Sequence, residues 1–219
     1  MRNRLPALPD GRPSRIRIRT GRRIRWNRLV LLVLVMFMVM TGFHTLEQFF
    51  VHDTYAFISP ESEAENHEPM IAEYAAKYGI QDYTRWLVAI VDVESGGQGE
   101  DVMQSSESLG LDPNSLTTEE SIDQGCAYFA SLLQKADRLG VDFDAVLQAY
   151  NYGSGYLDYV AENGGTNTQE LAESFAKEQS GGKKKSYMNP VAIKSNGGWR
   201  YDYGNMFYVT LVHNAVNEE

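Results

Sequence analysis

Residues 86–93, WLVAIVDV, constrain the fold most, because apolar side chains fill nearly every position. A helix with so little polar surface is buried on most sides, so the rest of the domain has to pack around it. Glu94 follows at its far end, and Gly96 and Gly97 then turn the chain. A carboxyl group beside apolar packing has a raised pKa, because burial disfavours its charged form. The stretch therefore predicts a central helix that carries a candidate general acid; a plain helix end facing water is the alternative.

The two ends of the chain differ sharply in charge. Residues 1–28 contain ten Arg and one Asp, whereas residues 29–219 contain ten Lys or Arg and 28 Asp or Glu, a net charge of −18. Non-specific nucleic-acid binding needs a basic surface, so the acidic body predicts no nucleic-acid partner. The arginines belong to a separate segment, and we interpret residues 1–28 as a basic cytoplasmic tail.

An uncharged apolar run, LVLLVLVMFMVMTGF, follows at residues 29–43. As a helix it covers only about 22 Å, so we extend the predicted single-pass transmembrane anchor to residues 29–51 to match a hydrocarbon core of about 30 Å. The preceding arginines place the tail inside and the body outside the membrane. A cleaved signal peptide is one alternative, although no small-residue cleavage site follows the run. A buried core helix is the other alternative, but it does not account for the arginines that precede the run.

The remaining chain predicts an all-α domain at residues 66–219, joined to the anchor by an acidic linker at residues 52–65. The first turn of the next helix is the alternative for the end of that linker. Apolar spacing and helix caps predict helices at residues 69–78 and 84–94, after Thr117, Asp142 and Thr168, and within residues 204–216. Gly153 and Gly155 are expected to break the helix after Asp142. Residues 180–200 are predicted to be a mobile surface loop, and a short hairpin after Gly97 stays open.

Neither the cysteine nor the histidines suggest a redox or metal site. Cys126 is the only cysteine, so no intramolecular disulfide can form, and it falls on the apolar face of a predicted helix. The four histidines are scattered and lack metal-ligand spacing. We therefore predict no metal and no cofactor.

Four short patches occur in a fixed order: ESGG at 94–97, MQSS at 103–106, AYNYG at 149–153 and YGNMFYVTLV at 203–212. Together they resemble the lysozyme-like superfamily of goose-type lysozymes and lytic transglycosylases, and most of all the lysozyme-like domain of Gram-positive cell-wall hydrolases. The resemblance spans about residues 66–215. It implies a lysozyme-like helical domain that acts on the glycan strands of peptidoglycan, outside the cell membrane and facing the cell wall.

The resemblance also implies roles for individual residues. Glu94 would act as the general acid of a muramidase, protonating the leaving oxygen of the β-1,4 bond between N-acetylmuramic acid and N-acetylglucosamine. Tyr208 matches a family tyrosine that faces the catalytic glutamate, and Met103 would pack the floor of the cleft. The full set of substrate-binding candidates comprises Ser95, Met103, Gln104, Ser105, Ser106, Tyr150, Asn151 and Tyr208.

The sequence does not fix a second catalytic carboxylate. Glu100, Asp101 and Glu107 lie in the same downstream loop, and any of them could activate water. If none does, the N-acetyl or 6-hydroxyl group of the substrate completes the reaction, and the second route makes the protein a lytic transglycosylase with 1,6-anhydro products. A non-catalytic glycan-binding module is the remaining alternative. Protein partners are not predicted.

Overall fold

The computed structural model describes residues 62–217, which form a helical domain with one late two-stranded hairpin. The α-helices of this part of the chain are α1 (Glu68–Lys77), α2 (Thr84–Ser95), α3 (Thr118–Leu139), α4 (Phe143–Tyr152), α5 (Gly155–Glu162), α6 (Gln169–Gln179), α7 (Pro190–Asn196) and α8 (Tyr208–Asn217). Short 3₁₀ helices occupy Ala64–His67, Gln81–Tyr83 and Ser106–Leu109. Strands β1 (Lys184–Ser186) and β2 (Trp199–Tyr201) flank α7. Apart from this hairpin, the prediction of a helical domain is confirmed.

Helix α2 is the buried centre of the domain, as its apolar sequence predicted. Its side chains from Leu87 to Val91 are all buried, and it packs against α1 and α8. Gly96 ends the helix in the left-handed conformation, and its N–H donates to the carbonyl of Asp92. Glycine adopts this conformation without a side-chain penalty, which makes it a common helix terminator. Glu94 therefore lies in the last turn of α2, at the edge of the core.

The predicted helix caps are confirmed. Thr117 forms a capping box with Glu120 at the start of α3, and the long helix ends before Gly140. Asp142 caps α4 by accepting a hydrogen bond from the Ala145 N–H. Thr168 caps α6 in the same way, accepting from the Leu171 N–H. Each side chain satisfies a backbone donor that the first helical turn leaves without a partner.

One prediction about secondary structure was wrong, and one helix was not predicted. Residues 180–200 are not a structureless loop, because they contain β1, α7 and β2, with Lys185 paired to Arg200 at the centre of the ladder. The helix after Asp142 does end at Tyr152 with Gly153 as its cap, as predicted, but Gly155 then begins α5, a helix that was not predicted. A glycine is tolerated there because the first helical residue has no intrahelical N–H bond to lose. Among the described residues, the hairpin forms here and not after Gly97.

The domain begins earlier than predicted. Ala64 is buried in the first 3₁₀ helix, and the Glu63 N–H donates to the Gly96 carbonyl at 2.7 Å. A side chain on Gly97 would come within 2.4 Å of the Ala64 nitrogen, so the end of α2 and the start of the domain pack closely. Residues 62–65 thus lie against the domain instead of forming part of a solvated linker.

The remaining N-terminal predictions fall on residues that the structure does not describe. They are the basic tail at 1–28, the anchor at 29–51 and the linker up to residue 61. Within residues 62–217, no helix is both long enough and apolar enough to cross a membrane.

Candidate active site

Two adjoining pockets form a groove at the end of α2. The first, of about 350 Å³, is lined by Glu94 and Tyr208 together with residues of the hairpin, and the second, of about 380 Å³, is lined by Gln104, Glu107 and Tyr150. Asn151, Tyr203 and Gly204 line both pockets. The groove therefore brings together residues from all four sequence patches. We refer to the two parts as the Glu94 pocket and the Glu107 pocket.

Glu94 is half-buried, and the Tyr208 hydroxyl donates a hydrogen bond of 2.6 Å to its Oε1. Burial raises the pKa of Glu94 from 4.5 to about 7, the Tyr208 hydrogen bond opposes that rise, and the charges of Glu107 and Asp101 add to it. A carboxyl with a pKa near 7 is substantially protonated at neutral pH. It can therefore donate a proton to a leaving group, and Tyr208 then stabilises the carboxylate that remains on the protein.

Two tyrosines, the buried Tyr208 and the half-buried Tyr150, lie near the carboxyl as neutral hydrogen-bond donors. Tyr208 is 1% exposed, and the Tyr150 hydroxyl donates to the Met103 carbonyl at 3.1 Å. Burial raises the pKa of both phenols well above the ordinary value, and the nearby charge of Glu94 acts in the same direction. Both hydroxyls stay protonated, so Tyr208 donates to Glu94 at every working pH.

A buried aspartate holds the loop that carries the MQSS patch. Asp101 is 2% exposed, and its Oδ1 accepts hydrogen bonds from the Ser105 N–H at 2.9 Å and the Ser121 hydroxyl at 2.7 Å. Burial opposes ionisation, but the hydrogen bonds from Ser106, Ser121 and Ser105 outweigh it and lower the pKa of Asp101. Ser121 on α3 also accepts from the Met103 N–H at 3.0 Å. The loop is thus tied to α3 through one charged junction.

The predicted substrate-binding residues divide into groove-lining and internal groups. Gln104, Ser105, Tyr150, Asn151 and Tyr208 line the groove. The internal group consists of Ser95, Met103 and Ser106. The Ser95 hydroxyl donates to the Val102 carbonyl at 2.8 Å, Met103 is fully buried against Gly125, and Ser106 is fully buried. These three shape the loop beneath the groove and do not present their side chains to it.

Gln104 is held in an unusual backbone conformation. Its φ of +47° lies in the left-handed region, where non-glycine residues are uncommon. Its side-chain amide donates to the Asp101 carbonyl at 2.9 Å and to Asn114 Oδ1 at 2.8 Å. Strained residues held by several contacts cluster at functional sites, and this one lines the Glu107 pocket.

The three candidate second carboxylates occupy different places. Glu107 is exposed and lines the groove. Asp101 is buried with its Oδ1 engaged by two donors. Glu100 is exposed and lines neither pocket of the groove.

Sequence analysis missed a turn that closes the groove from the far end of the chain. The Asn205 N–H donates to Asn151 Oδ1 at 2.6 Å, and its carbonyl accepts from the Gln148 amide at 3.0 Å. Gly204 has a φ of +42°, and a side chain there would meet the Tyr152 ring at 2.5 Å. The triplet YGN in the fourth patch was the available signal, since glycine followed by asparagine is typical of tight turns.

A second carboxylate of α2 lies away from the groove. Asp92 is two residues before Glu94, which turns its side chain to a different face of the helix. It lines a separate pocket with Ser62, Glu65 and Ala215. The helix therefore separates its two carboxylates, and only Glu94 lines the groove.

Comparisons with known proteins agree with this geometry. The family model described as lysozyme-like matches residues 61–216. The bifunctional muramidase/DL-endopeptidase CwlT of Bacillus subtilis is 41% identical over 163 residues, which are 74% of this chain and 44% of CwlT. The uncharacterized membrane protein YocA of the same organism is 36% identical, over 67% of this chain and 65% of YocA. The chain thus spans less than two thirds of the length of these two relatives.

A solved structure shares the fold. A crystal structure of a protein described as similar to lipoprotein, NLP/P60 family, from Staphylococcus aureus has 58% sequence identity and a TM-score of 0.69, and the match covers 73% of this chain and 53% of that one. The family match covers most of the chain, including every residue of the groove. The chain described here belongs to the lysozyme-like family.

Proposed function

We propose that this chain is a membrane-anchored muramidase that cleaves the β-1,4 bond between N-acetylmuramic acid and N-acetylglucosamine in peptidoglycan. The observation that carries the proposal is the state of Glu94, a half-buried carboxyl with a pKa of about 7 that lines a groove and accepts a hydrogen bond from Tyr208. The name of CwlT includes a muramidase activity, and this chain matches less than half of its length.

Glu94 would supply the proton that glycosidic cleavage requires. The carboxyl is neutral before the reaction and becomes a carboxylate as the leaving oxygen is protonated. The Tyr208 hydroxyl is already positioned on Oε1, so no group has to move to stabilise the new charge. Gln104 and Asn151 are neutral groove residues that suit hydroxyl and acetamido groups of a sugar.

Of the three candidate carboxylates, Glu107 is the best placed to activate water. It lines the groove, while Asp101 already accepts hydrogen bonds from Ser105 and Ser121, and Glu100 lies outside the groove pockets. A carboxylate on the opposite side of the sugar from the acid is the arrangement of an inverting glycosidase. Cleavage without Glu107, through the substrate's own 6-hydroxyl group, is the transglycosylase alternative.

The test is digestion of purified peptidoglycan by the wild type, by Glu94→Gln and by Asp92→Asn. We expect Glu94→Gln to lose about 10²- to 10⁴-fold in rate, the usual contribution of a general acid. Asp92→Asn is the matched control, because it removes a carboxylate from the same helix outside the groove. It should stay within about twofold of the wild type, which is ordinary for a surface substitution.

The products decide between the alternatives. Reducing N-acetylmuramic acid ends, identified by mass spectrometry, support hydrolysis, and 1,6-anhydro ends would identify a lytic transglycosylase. Binding of glycan strands by the wild type without any cleavage would instead identify a binding module.

Loss of activity in Glu94→Gln must not result from unfolding. Because burial raises the folded pKa of Glu94 from 4.5 to about 7, its neutral form stabilises the fold fully below about pH 4.5, and this stabilisation is lost as the pH rises through 7. The uncharged amide does not titrate, so the variant should be at least as stable as the wild type at pH 8.

A further inference from the structure

The Glu94 pocket contains two of the few cations of an acidic domain. Residues 29–219 contain only ten Lys or Arg, and five of these fall within residues 183–200. Two of the five, Lys185 and Arg200, line the Glu94 pocket. Both cations therefore stand beside the candidate general acid, and Asp202 lines the same pocket.

The two cations are directly opposite each other on the hairpin. Lys185 pairs with Arg200 in the antiparallel register, so both side chains project from the same face. Like charges at directly opposed positions destabilise a strand pair. The other face of the hairpin is filled differently, since Lys184 there packs over the Trp199 ring at 3.3 Å. The repulsion between Lys185 and Arg200 thus destabilises the hairpin unless a nearby negative charge offsets it.

One carboxylate of the protein, Asp202, lies near both cations, and its pKa is lowered mainly by the hydrogen bond from Lys185 and to a lesser extent by the charge of Arg200. Asp202 forms an ion pair of 2.8 Å with Lys185. Arg200 lies over the Tyr187 ring at 5.3 Å, but its Nε and Nη1 atoms are buried and donate to no acceptor within residues 62–217. A guanidinium group stays charged in proteins, and buried donors without partners destabilise the fold. These donors are arranged for an acceptor from outside the domain.

We propose that Arg200, with Lys185 beside it, binds a carboxylate of the peptide stem that is attached to the glycan strand, next to the bond that Glu94 protonates. This inference rests on the proposed function and specifies which part of the polymer the hairpin recognises. The sugar backbone itself offers neutral hydroxyl and acetamido groups, whereas the stem peptide carries carboxylates close to the muramic acid ring. The planar guanidinium fork matches carboxylate geometry better than an ammonium group does.

The site should therefore select glycan strands that still carry charged peptides. Glu94 and Arg200 line one pocket of about 350 Å³, which has room for a sugar ring and the start of its peptide substituent. The Asn205 side-chain amide donates to the Tyr187 hydroxyl at 3.1 Å, so the ring under Arg200 is tied to the turn that closes the groove. Arg200, which would contact the peptide, is therefore linked through Tyr187 to the turn at Asn205 that borders the sugar-binding groove.

The experiment measures kcat/KM for the full chain in mild detergent on two forms of the same wall glycan. Both forms are stripped of phosphate-linked polymers, and in one the peptide carboxylates are converted to methylamides. We expect the wild type to prefer the free carboxylates by about tenfold, the effect of one charge-assisted hydrogen bond. Arg200→Met should lose about tenfold on the carboxylate form and less than about twofold on the amide form, so that the preference disappears.

Two further variants complete the design. Arg200→Lys keeps the charge without the planar fork, so it should retain part of the preference. Lys194→Met removes an exposed lysine of α7 that lines neither pocket of the groove, and it should behave as the wild type. Thermal unfolding of each variant shows whether it is folded at the assay temperature.

Other outcomes overturn the inference. An equal loss for Arg200→Met on both glycans would mean that Arg200 acts only in packing, and a preference that needs the phosphate-linked polymers would mean that phosphate is the ligand. If the wild type cleaves neither glycan, the proposed function fails. Cosedimentation of wild type and Arg200→Met with the two glycans then still tests carboxylate recognition, and equal binding of all four combinations would refute it.

Discussion

Glu94 and Tyr208 are 114 residues apart in sequence and share one short hydrogen bond in the groove. Two opposing effects on the pKa of Glu94 meet there, since burial raises it and the Tyr208 hydroxyl lowers it. The raised pKa could be predicted from the sequence, because an apolar run leads directly to the carboxyl. The opposing hydrogen bond depends on tertiary structure, and only the family resemblance pointed to Tyr208.

Replacement of Tyr208 by phenylalanine should move the pH profile of cleavage. The hydrogen bond favours the carboxylate, so its loss raises the pKa of Glu94 further above its usual range. A general acid is active while protonated, and therefore the limb on which activity falls with rising pH should shift to higher pH. Below that limb the rate should fall by about ten- to a hundredfold, because the hydroxyl no longer stabilises the carboxylate that forms as the proton leaves.

The matched control is Tyr74→Phe, which removes a tyrosine hydroxyl that donates to Glu119 on the surface. Its profile should overlay that of the wild type. A downward shift of the limb in Tyr208→Phe would contradict the assigned direction of the hydrogen bond.

Some of the other groove residues were predicted from the sequence, and those of the hairpin were not. Gln104, Tyr150 and Asn151 line it as expected, because their motifs mark the loop and the helix end that surround Glu94. Arg200 was missed, and its cross-strand neighbour Lys185 was assigned to a mobile surface loop. Three-residue strands are too short for alternation to be recognised in sequence, and their significance depends on the register that pairs them.

At the scale of elements, signals confined to one helical turn were reliable. The Thr117 capping box was predicted because its partners lie three residues apart, and the same holds for the caps of α4 and α6. The hairpin was missed because a lysine- and glycine-rich composition is typical of loops. Its strands are held by pairing across 12 intervening residues, 187 to 198, which no local pattern records.

Ser121→Ala should test the junction between α3 and the loop that carries Gln104. The serine hydroxyl donates to buried Asp101 at 2.7 Å and accepts from the Met103 N–H at 3.0 Å. Its removal leaves a buried charge and a buried N–H short of a partner, so unfolding free energy should fall by about 2–3 kcal/mol. The rate of cleavage should fall too, because Gln104 donates to the Asp101 carbonyl.

Chemical denaturation measures the stability change, and digestion of peptidoglycan below the unfolding transition measures the rate. Ser131→Ala is the control, since Ser131 lies on the exposed face of the same helix and should have less than about 0.5 kcal/mol of effect. Equal stability of the two variants would show that Asp101 does not depend on Ser121.

At the scale of the whole molecule, charge is divided between two regions with different tasks. The acidic body contains the groove, and its cations are concentrated in the hairpin segment beside it. The basic tail and the apolar run precede the described residues, and the proposal of an anchor rests on their sequence alone. One relative is named a membrane protein, and the match covers 65% of its length. The location of the full chain in cells therefore tests the anchor.

Fractionation of cells that produce the full chain should recover it in the membrane at its unprocessed mass of 24.7 kDa. An uncleaved helix over residues 29–51 is long enough to span the hydrocarbon core, and the ten preceding arginines should keep the N-terminus inside. Protease added to protoplasts should therefore remove the body and leave the tail protected. Deletion of residues 29–51 should leave the protein in the cytoplasm, out of reach of the protease. A shorter product in the medium would identify a cleaved signal peptide instead, and cutting would then not be confined to wall near the membrane.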